Sequence, residues 1–298
     1  MKSNDINGNA IDISIPLRFN GPQPNAYGVE PARAEACEYG DLVGDTRRGG
    51  SVNFERYTVI SHCNGTHTEC VGHITHERIS IRECLKDVLM NAVLVSVEPV
   101  AISETDEAYP LNHEQQDTLI TKKSLAEKLT SLQQEVPHSA FRVPQSEIPQ
   151  SNIPHSAFRV PQSEIPHSKA LIVRTLPNDD GKLTREYGTD AANAVKIPPY
   201  FTLEAMHYIV ESGFTHLLCD LPSIDRIYDD GKLLNHRIFW NVEEGSRATN
   251  AATRINNTIT ELIYVSNEIE DGEYLLNLQI APFDADCSPS RPILITTS

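Results

Sequence analysis

Residues 62–76 read HCNGTHTECVGHITH. Four imidazoles (His62, His67, His73, His76) share these fifteen positions with one carboxylate, Glu69, and two thiols, Cys63 and Cys70. The alternating run FERYTVI at 54–60 leads into them and reads as a strand. In extended chain, side chains two apart share a face, so His67 and Glu69 are expected to face one point and Thr68 the other side. Gly65 allows a close approach or bend before them. Gly72 allows a second, after which His73 can return to the same point. His76 lies one turn further if the chain becomes helical. Imidazole nitrogens with a carboxylate form a ligand set for a divalent ion, Zn or Mn. A carboxylate can also bridge two ions, which a neutral imidazole cannot. The hydrolytic use of such a site is to bring the pKa of bound water to about 7 and to polarise a carbonyl. The competing reading is a polar loop without an ion.

Outward from this stretch, strands dominate. IDISI (11–15), AVLVSV (92–97), KALIVRT (169–175), HLLCD (216–220), TELIYV (260–265), YLLNLQI (274–280) and PILITT (292–297) have strand composition. Ser124 to Glu127 reads as a capping box opening a helix to about Gln134. Thr202 is placed to cap a second helix, LEAMHYIVES, which Gly213 ends. Interspersed strands and helices predict a mixed α/β domain.

One segment departs from this pattern. HSAFRVPQSEIP occurs at 138–149 and again at 155–166. Prolines at 137, 144, 149, 154, 161 and 166 oppose both helix and central strand. The expected arrangement is a single domain over 1–298, interrupted by a Pro-rich surface insertion at about 101–168. His138 and His155 are then solvated loop residues.

Composition narrows the function. The 298 residues carry a formal charge of −16, and this acidity disfavours phosphate backbones and anionic lipid heads. No nucleic-acid or membrane partner is expected. No apolar run approaches the roughly 20 residues of a membrane span, and MKSNDINGNAIDISI holds no apolar secretion signal. Six scattered cysteines without a CxxC pair fit a reducing cytoplasm better than a disulfide framework. A G-x-S-x-G elbow, a phosphate-cradling G-x-x-x-x-G-K and a G-x-G-x-x-G are all missing, so serine chemistry and nucleotide cofactors are not implied.

Gly65-Thr66-His67-Thr68-Glu69, followed by His73 and His76, resembles the signature H-x-G-T-H-x-D-x-P-x-H of the metal-dependent cyclase family, which includes bacterial kynurenine formamidase and isatin hydrolase. Further resemblances follow in order: Asp12-Ile-Ser; Asp220-Leu-Pro-Ser-Ile-Asp225; Asn235-His236; Thr260-Glu261-Leu262; and the closing Tyr274-Leu-Leu, Ala281-Pro-Phe and Ser288-Pro-Ser-Arg291. They cover about 11–100 and 169–298. The resemblance implies a compact mixed sheet or barrel-like β core flanked by helices, of the swivelling β/β/α type, in a homo-oligomer. It implies metal ligands at His67, Glu69, His73, His236 and Glu261, with Glu69 bridging, and an acid–base role for His76. The implied activity is hydrolysis of a C–N amide bond, in a formamide or cyclic amide, with one or two Zn or Mn ions. A lactone hydrolase or dehydratase at the same ions, or a non-catalytic scaffold, are the alternatives.

Three departures stand out. The signature's first histidine falls on Cys63, with His62 one place out of register, so Cys63 could ligate as a thiolate or the site could hold a single ion. Its aspartate is Glu69, and its proline is Val71. His113, His207 and His216 read as ordinary surface or core histidines, and Cys70 and Cys84 as small core residues. The loop around Pro16–Pro24 is the candidate pocket lining.

Overall fold

The computed structural model describes residues 10–111, 113–135, 168–189 and 194–296. Eight strands form its main sheet: β1 (Ala10–Asp12), β2 (His67–Glu69), β3 (Leu89–Val97), β4 (Ala170–Thr175), β5 (His216–Cys219), β6 (Thr258–Glu261), β7 (Gly272–Ile280) and β8 (Cys287–Thr296). Their order is β1-β8-β7-β3-β4-β5-β6-β2, and β2 pairs again with β8. Seven strands therefore close into a barrel, with β1 added along β8. The central strands β3 to β6 run parallel, and all other pairings are antiparallel. The expected mixed α/β architecture with a barrel-like β core is borne out.

Strand periodicity separates two cores. Val93, Val95 and Val97 of β3 and Leu171 and Val173 of β4 face the helices. Their neighbours Met90, Ala92, Leu94, Ala170 and Ile172 fill the barrel. Because both faces are covered, these strands are continuously apolar, as parallel strands buried on two sides must be. Four helices matter here: α1 (Ser61–Asn64), α2 (Lys122–Glu135), α3 (Leu203–Glu211) and α4 (Leu234–Trp240). Leu125 and Leu129 of α2, Ala205, Met206 and Ile209 of α3, and Phe239 and Trp240 of α4 form the outer core. Among the described residues, no helix is long and apolar enough to cross a membrane.

Several boundaries move. The helix read from Ser124 begins at Lys122, and its cap is Thr121, whose Oγ1 accepts the Ser124 N–H at 3.1 Å. The strand read over TELIYV stops at Glu261, because Leu262 has φ 53° and the ladder cannot continue through a left-handed residue. The closing strand read from Pro292 begins at Cys287, and Pro289 lies within it opposite His67. The insertion expected from about residue 101 also needs correction. Thr118–Ile120 pairs with Val100–Ala101 and with Tyr200–Phe201, and α2 packs in the outer core, so this part belongs to the domain proper. Both HSAFRVPQSEIP copies lie outside the described residues.

Candidate metal centre

β2 is held between β6 and β8, and this sets which side chains meet. Across the ladder Glu261 is opposite His67, while Ile259 and Cys287 are both opposite Glu69. Side chains directly opposite share a face, so Glu261, His67, Glu69 and Cys287 point to the same side as Ile259, the helix-facing side. Thr68 and Thr260 point inward and share a hydrogen bond at 2.8 Å. The expected common orientation of His67 and Glu69 holds.

His67 is fully buried. Its Nδ1–H donates to the Gly65 carbonyl at 3.0 Å, which fixes the tautomer and leaves a lone pair on Nε2. That Nε2 has no hydrogen-bond partner and lies 3.5 Å from Glu261 Oε2. Glu261 Oε1 accepts the Ile224 N–H at 2.9 Å. Glu69, 1% exposed, sits 3.0 Å through Oε1 from His236 Nε2 and 3.1 Å through Oε2 from His62 Nδ1. Burial alone would raise the Glu69 carboxyl, but the charge of His73 and hydrogen bonds from His236 and His62 outweigh it and hold the group well below the usual carboxylate range.

His236 comes from α4, oriented by Asp225. One Asp225 oxygen accepts His236 Nδ1–H at 2.6 Å, and the other accepts the Asn235 N–H and the Tyr109 hydroxyl, each at 2.8 Å. Burial would lower His236, yet the bonds to Asp225 and Glu69 raise it well above the ordinary imidazole value. A carboxylate behind an imidazole that faces a ligand site fixes ring orientation and basicity. Asp225→Asn is therefore expected to weaken Zn²⁺ binding by about 10–100-fold without loss of fold, as read by chelator competition beside a thermal melt.

The mouth is formed by His62, His73 and Asp286, whose side chains are 30%, 28% and 35% exposed. Asp286 Oδ2 lies 3.0 Å from His62 Nε2 and 3.4 Å from His73 Nδ1, and these two bonds hold its carboxyl well below the ordinary value. His73 Nδ1 is 3.9 Å from Glu69 Oε2. The rings converge, with His62 and His73 centroids 4.4 Å apart and His73 and His236 centroids 5.8 Å apart. The turn Val71–His73 returns His73 to the centre, as expected, but Gly72 serves by close approach rather than by a left-handed bend. A Cβ there would lie 2.3 Å from the Ile79 carbonyl oxygen.

The structure thus brings together His67, Glu69, His73, His236 and Glu261. His76 does not join them. Its side chain is exposed, and its backbone N–H donates to the Arg247 carbonyl at 2.7 Å. The register question at the signature's start is resolved by α1. Successive helical residues point about 100° apart, so His62 and Cys63 cannot face one centre, and His62 is the one over Glu69. Cys63 is buried, its thiol pushed up to about 11 by desolvation, and it joins no ligand group among the described residues. His62 was legible only as out of register. Asp286 and Cys287 carry no local signal, since only the β8–β2 pairing brings them here.

Three sets of potential ligand atoms lie within 4.8 Å of one another: His62, Glu69 and His73; His67, Glu69 and Glu261; and His62, His67 and Cys287. An orphaned buried imidazole nitrogen facing a buried carboxylate is unfavourable by itself. A divalent cation satisfies both, so the donor set fits a metal ion.

Comparison with known proteins agrees with this geometry. The cyclase family model matches residues 11–226. No curated protein matches the chain. Several solved structures share its fold. Isatin hydrolase A from Labrenzia aggregata, bound to benzyl benzoate, is 13% identical with a TM-score of 0.57, over 97% of this chain and 94% of that one. A novel cyclase is 15% identical with a TM-score of 0.56, over 98% and 88%. A predicted metal-dependent hydrolase from Bacillus stearothermophilus is 12% identical with a TM-score of 0.51, over 96% and 97%. At these identities the likeness is one of fold, whereas the family model spans well over half of the sequence: the chain belongs to the cyclase family.

Proposed function

We propose that the protein is a metal-dependent hydrolase that opens the C–N bond of a small formamide or cyclic amide. The observation that carries this reading is the orphaned, fully buried Nε2 of His67 among Glu69, Glu261 and His236, behind a half-open mouth. Zn²⁺ or Mn²⁺ held there would supply Lewis acidity toward water and toward a substrate carbonyl. His67, Glu69, His236 and Glu261 would hold it, with His62 able to complete the set.

The remaining groups organise the reaction. The Gly65 carbonyl, the Ile224 N–H and Asp225 keep three of the ligands in one orientation before substrate arrives. That preorganisation spares reorganisation during the reaction. His73, partly exposed and paired with Asp286, is the imidazole placed to take a proton from attacking water and return it to the leaving nitrogen. It takes the role expected at His76, which lies outside the convergence. Asp286 stabilises the imidazolium this transfer creates.

A cleft of about 680 Å³ lined by Gly21, Pro22, Gln23, Asn25, Tyr27 and Glu186, among others, offers the substrate site. Tyr27 lines it. Desolvation and the nearby negative charge of Glu261 push its phenol up. The Pro16–Pro24 loop expected to line a pocket contributes Gly21, Pro22 and Gln23 to this cleft. A similar fold in isatin hydrolases, whose named substrate is a cyclic amide, supports the substrate class. The test is hydrolysis of N-formylkynurenine, isatin and simple lactones by ion-loaded and chelator-stripped protein. Ion-dependent cleavage of either amide is the expected result. Cleavage of lactones alone would move the assignment to ester chemistry, and no cleavage by protein carrying one or two ions would overturn it.

A further inference from the structure

Cys287 opens β8 directly opposite Glu69, on the face that carries His67 and Glu261. It is 4% exposed. Its Sγ, a ring nitrogen of His62 and a ring nitrogen of His67 all lie within 4.8 Å of one another. This thiol does not stand alone, because the fully buried His67 offers an Nε2 with no hydrogen-bond partner.

A buried cysteine of β composition ordinarily packs as a small apolar side chain. Here its neighbours are two imidazoles and a carboxylate. We propose that Cys287 is a thiolate ligand of the centre, forming with His62 and His67 a nitrogen–nitrogen–sulfur set that selects Zn²⁺ over Mn²⁺. The inference rests on the reading that the centre holds an ion. Soft thiolate favours zinc or cobalt, whereas carboxylate-rich sites suit manganese and magnesium. On binding, the thiol proton leaves to solvent while sulfur donates a lone pair to the ion; no oxidation state changes. The other set, His67, Glu69 and Glu261, is rich in oxygen. The two sets share His67, so the thiol tilts the centre as a whole toward the softer ion.

Cobalt supplies a readout independent of catalysis. Chelator-stripped wild type, Cys287→Ser and Cys63→Ser would be loaded with Co²⁺, bound ions counted, and near-ultraviolet sulfur-to-cobalt charge-transfer absorption recorded. Wild type and Cys63→Ser are expected to show the band and Cys287→Ser to lose it while still binding cobalt. Zinc affinity of Cys287→Ser should fall by at least about tenfold, and manganese affinity by less. Cobalt-loaded wild type without the band would overturn the thiolate assignment and leave the hydrolase reading standing. A band that survives Cys287→Ser would do the same. Wild type that takes up no ion would overturn both. If Cys287→Ser fails to fold, the wild-type band and its persistence in Cys63→Ser decide the question.

Discussion

His67→Ala is expected to bind at least one ion fewer per chain and to lose at least about a thousandfold in kcat/KM, roughly 4 kcal/mol of transition-state stabilisation. The reason is geometric. Among the described residues, His67 places a buried ring nitrogen without a hydrogen-bond partner beside the Glu261 carboxylate, its other ring nitrogen being held by the Gly65 carbonyl. Its removal leaves Glu69 and Glu261 as buried carboxylates without their central nitrogen ligand. The fold should tolerate the change, because the lost side chain bonds only to a carbonyl that can accept from water. Elemental analysis of protein purified without chelator, a melt and an assay on the best substrate check all three parts. His76→Ala is the control. It should retain its ions and most of its rate, because its side chain is exposed and outside the cluster. A loss at His76 as deep as that at His67 would return the proton-carrying role to it. A metal count unchanged in His67→Ala would remove the centre proposed for this protein.

The parts of this site that could be read from the chain are those governed by short-range periodicity. Thr-His-Thr-Glu fixes the common face of His67 and Glu69 as soon as the stretch is extended, and β2 is extended. The strands AVLVSV, KALIVRT and HLLCD sit where their apolar composition put them, since strands covered on both faces leave a continuous apolar trace. Thr202 caps α3 by accepting the Ala205 N–H at 3.0 Å, and Gly213 follows at φ 87°. Long-range register was not legible. Cys287 meets Glu69 through a pairing of residues 218 positions apart, which no local pattern encodes. His62 and Cys63 could be told apart only once α1 rotated one of them toward Glu69. Glu261 was expected inside an apolar strand. It ends that strand, at the carboxyl end of the parallel set.

Asp220→Ala is expected to cost about 3–5 kcal/mol of stability, the range for removing one partner of a buried ion pair. Asp220 and Lys182 have side chains 0% and 3% exposed, with Lys182 Nζ 2.7 Å from Asp220 Oδ2. Lys182 also donates to the Thr175 carbonyl at 2.6 Å and to Thr175 Oγ1 at 2.9 Å, so all three of its protons are used. Thr175 in turn donates its N–H and its hydroxyl to Asp220, each at 2.9 Å. Without the carboxylate, a buried ammonium loses its counter-ion and a buried N–H loses its acceptor. The melting temperature should fall by roughly 5–15 °C. Lys182→Met combined with Asp220→Leu should recover the part owed to the unpaired ammonium, because an apolar pair avoids desolvating two charges, while the part owed to the Thr175 N–H, still without its acceptor, stays lost. The loop starting at Asp220 ends at Ile224 and Asp225, which hold Glu261 and His236 in place. Stability and metal affinity should therefore fall together in Asp220→Ala, while Asp225→Asn lowers affinity alone. If Asp220→Ala melts like wild type, the pair is not what holds this loop, and the preorganisation of Glu261 and His236 must come from the barrel ladder itself.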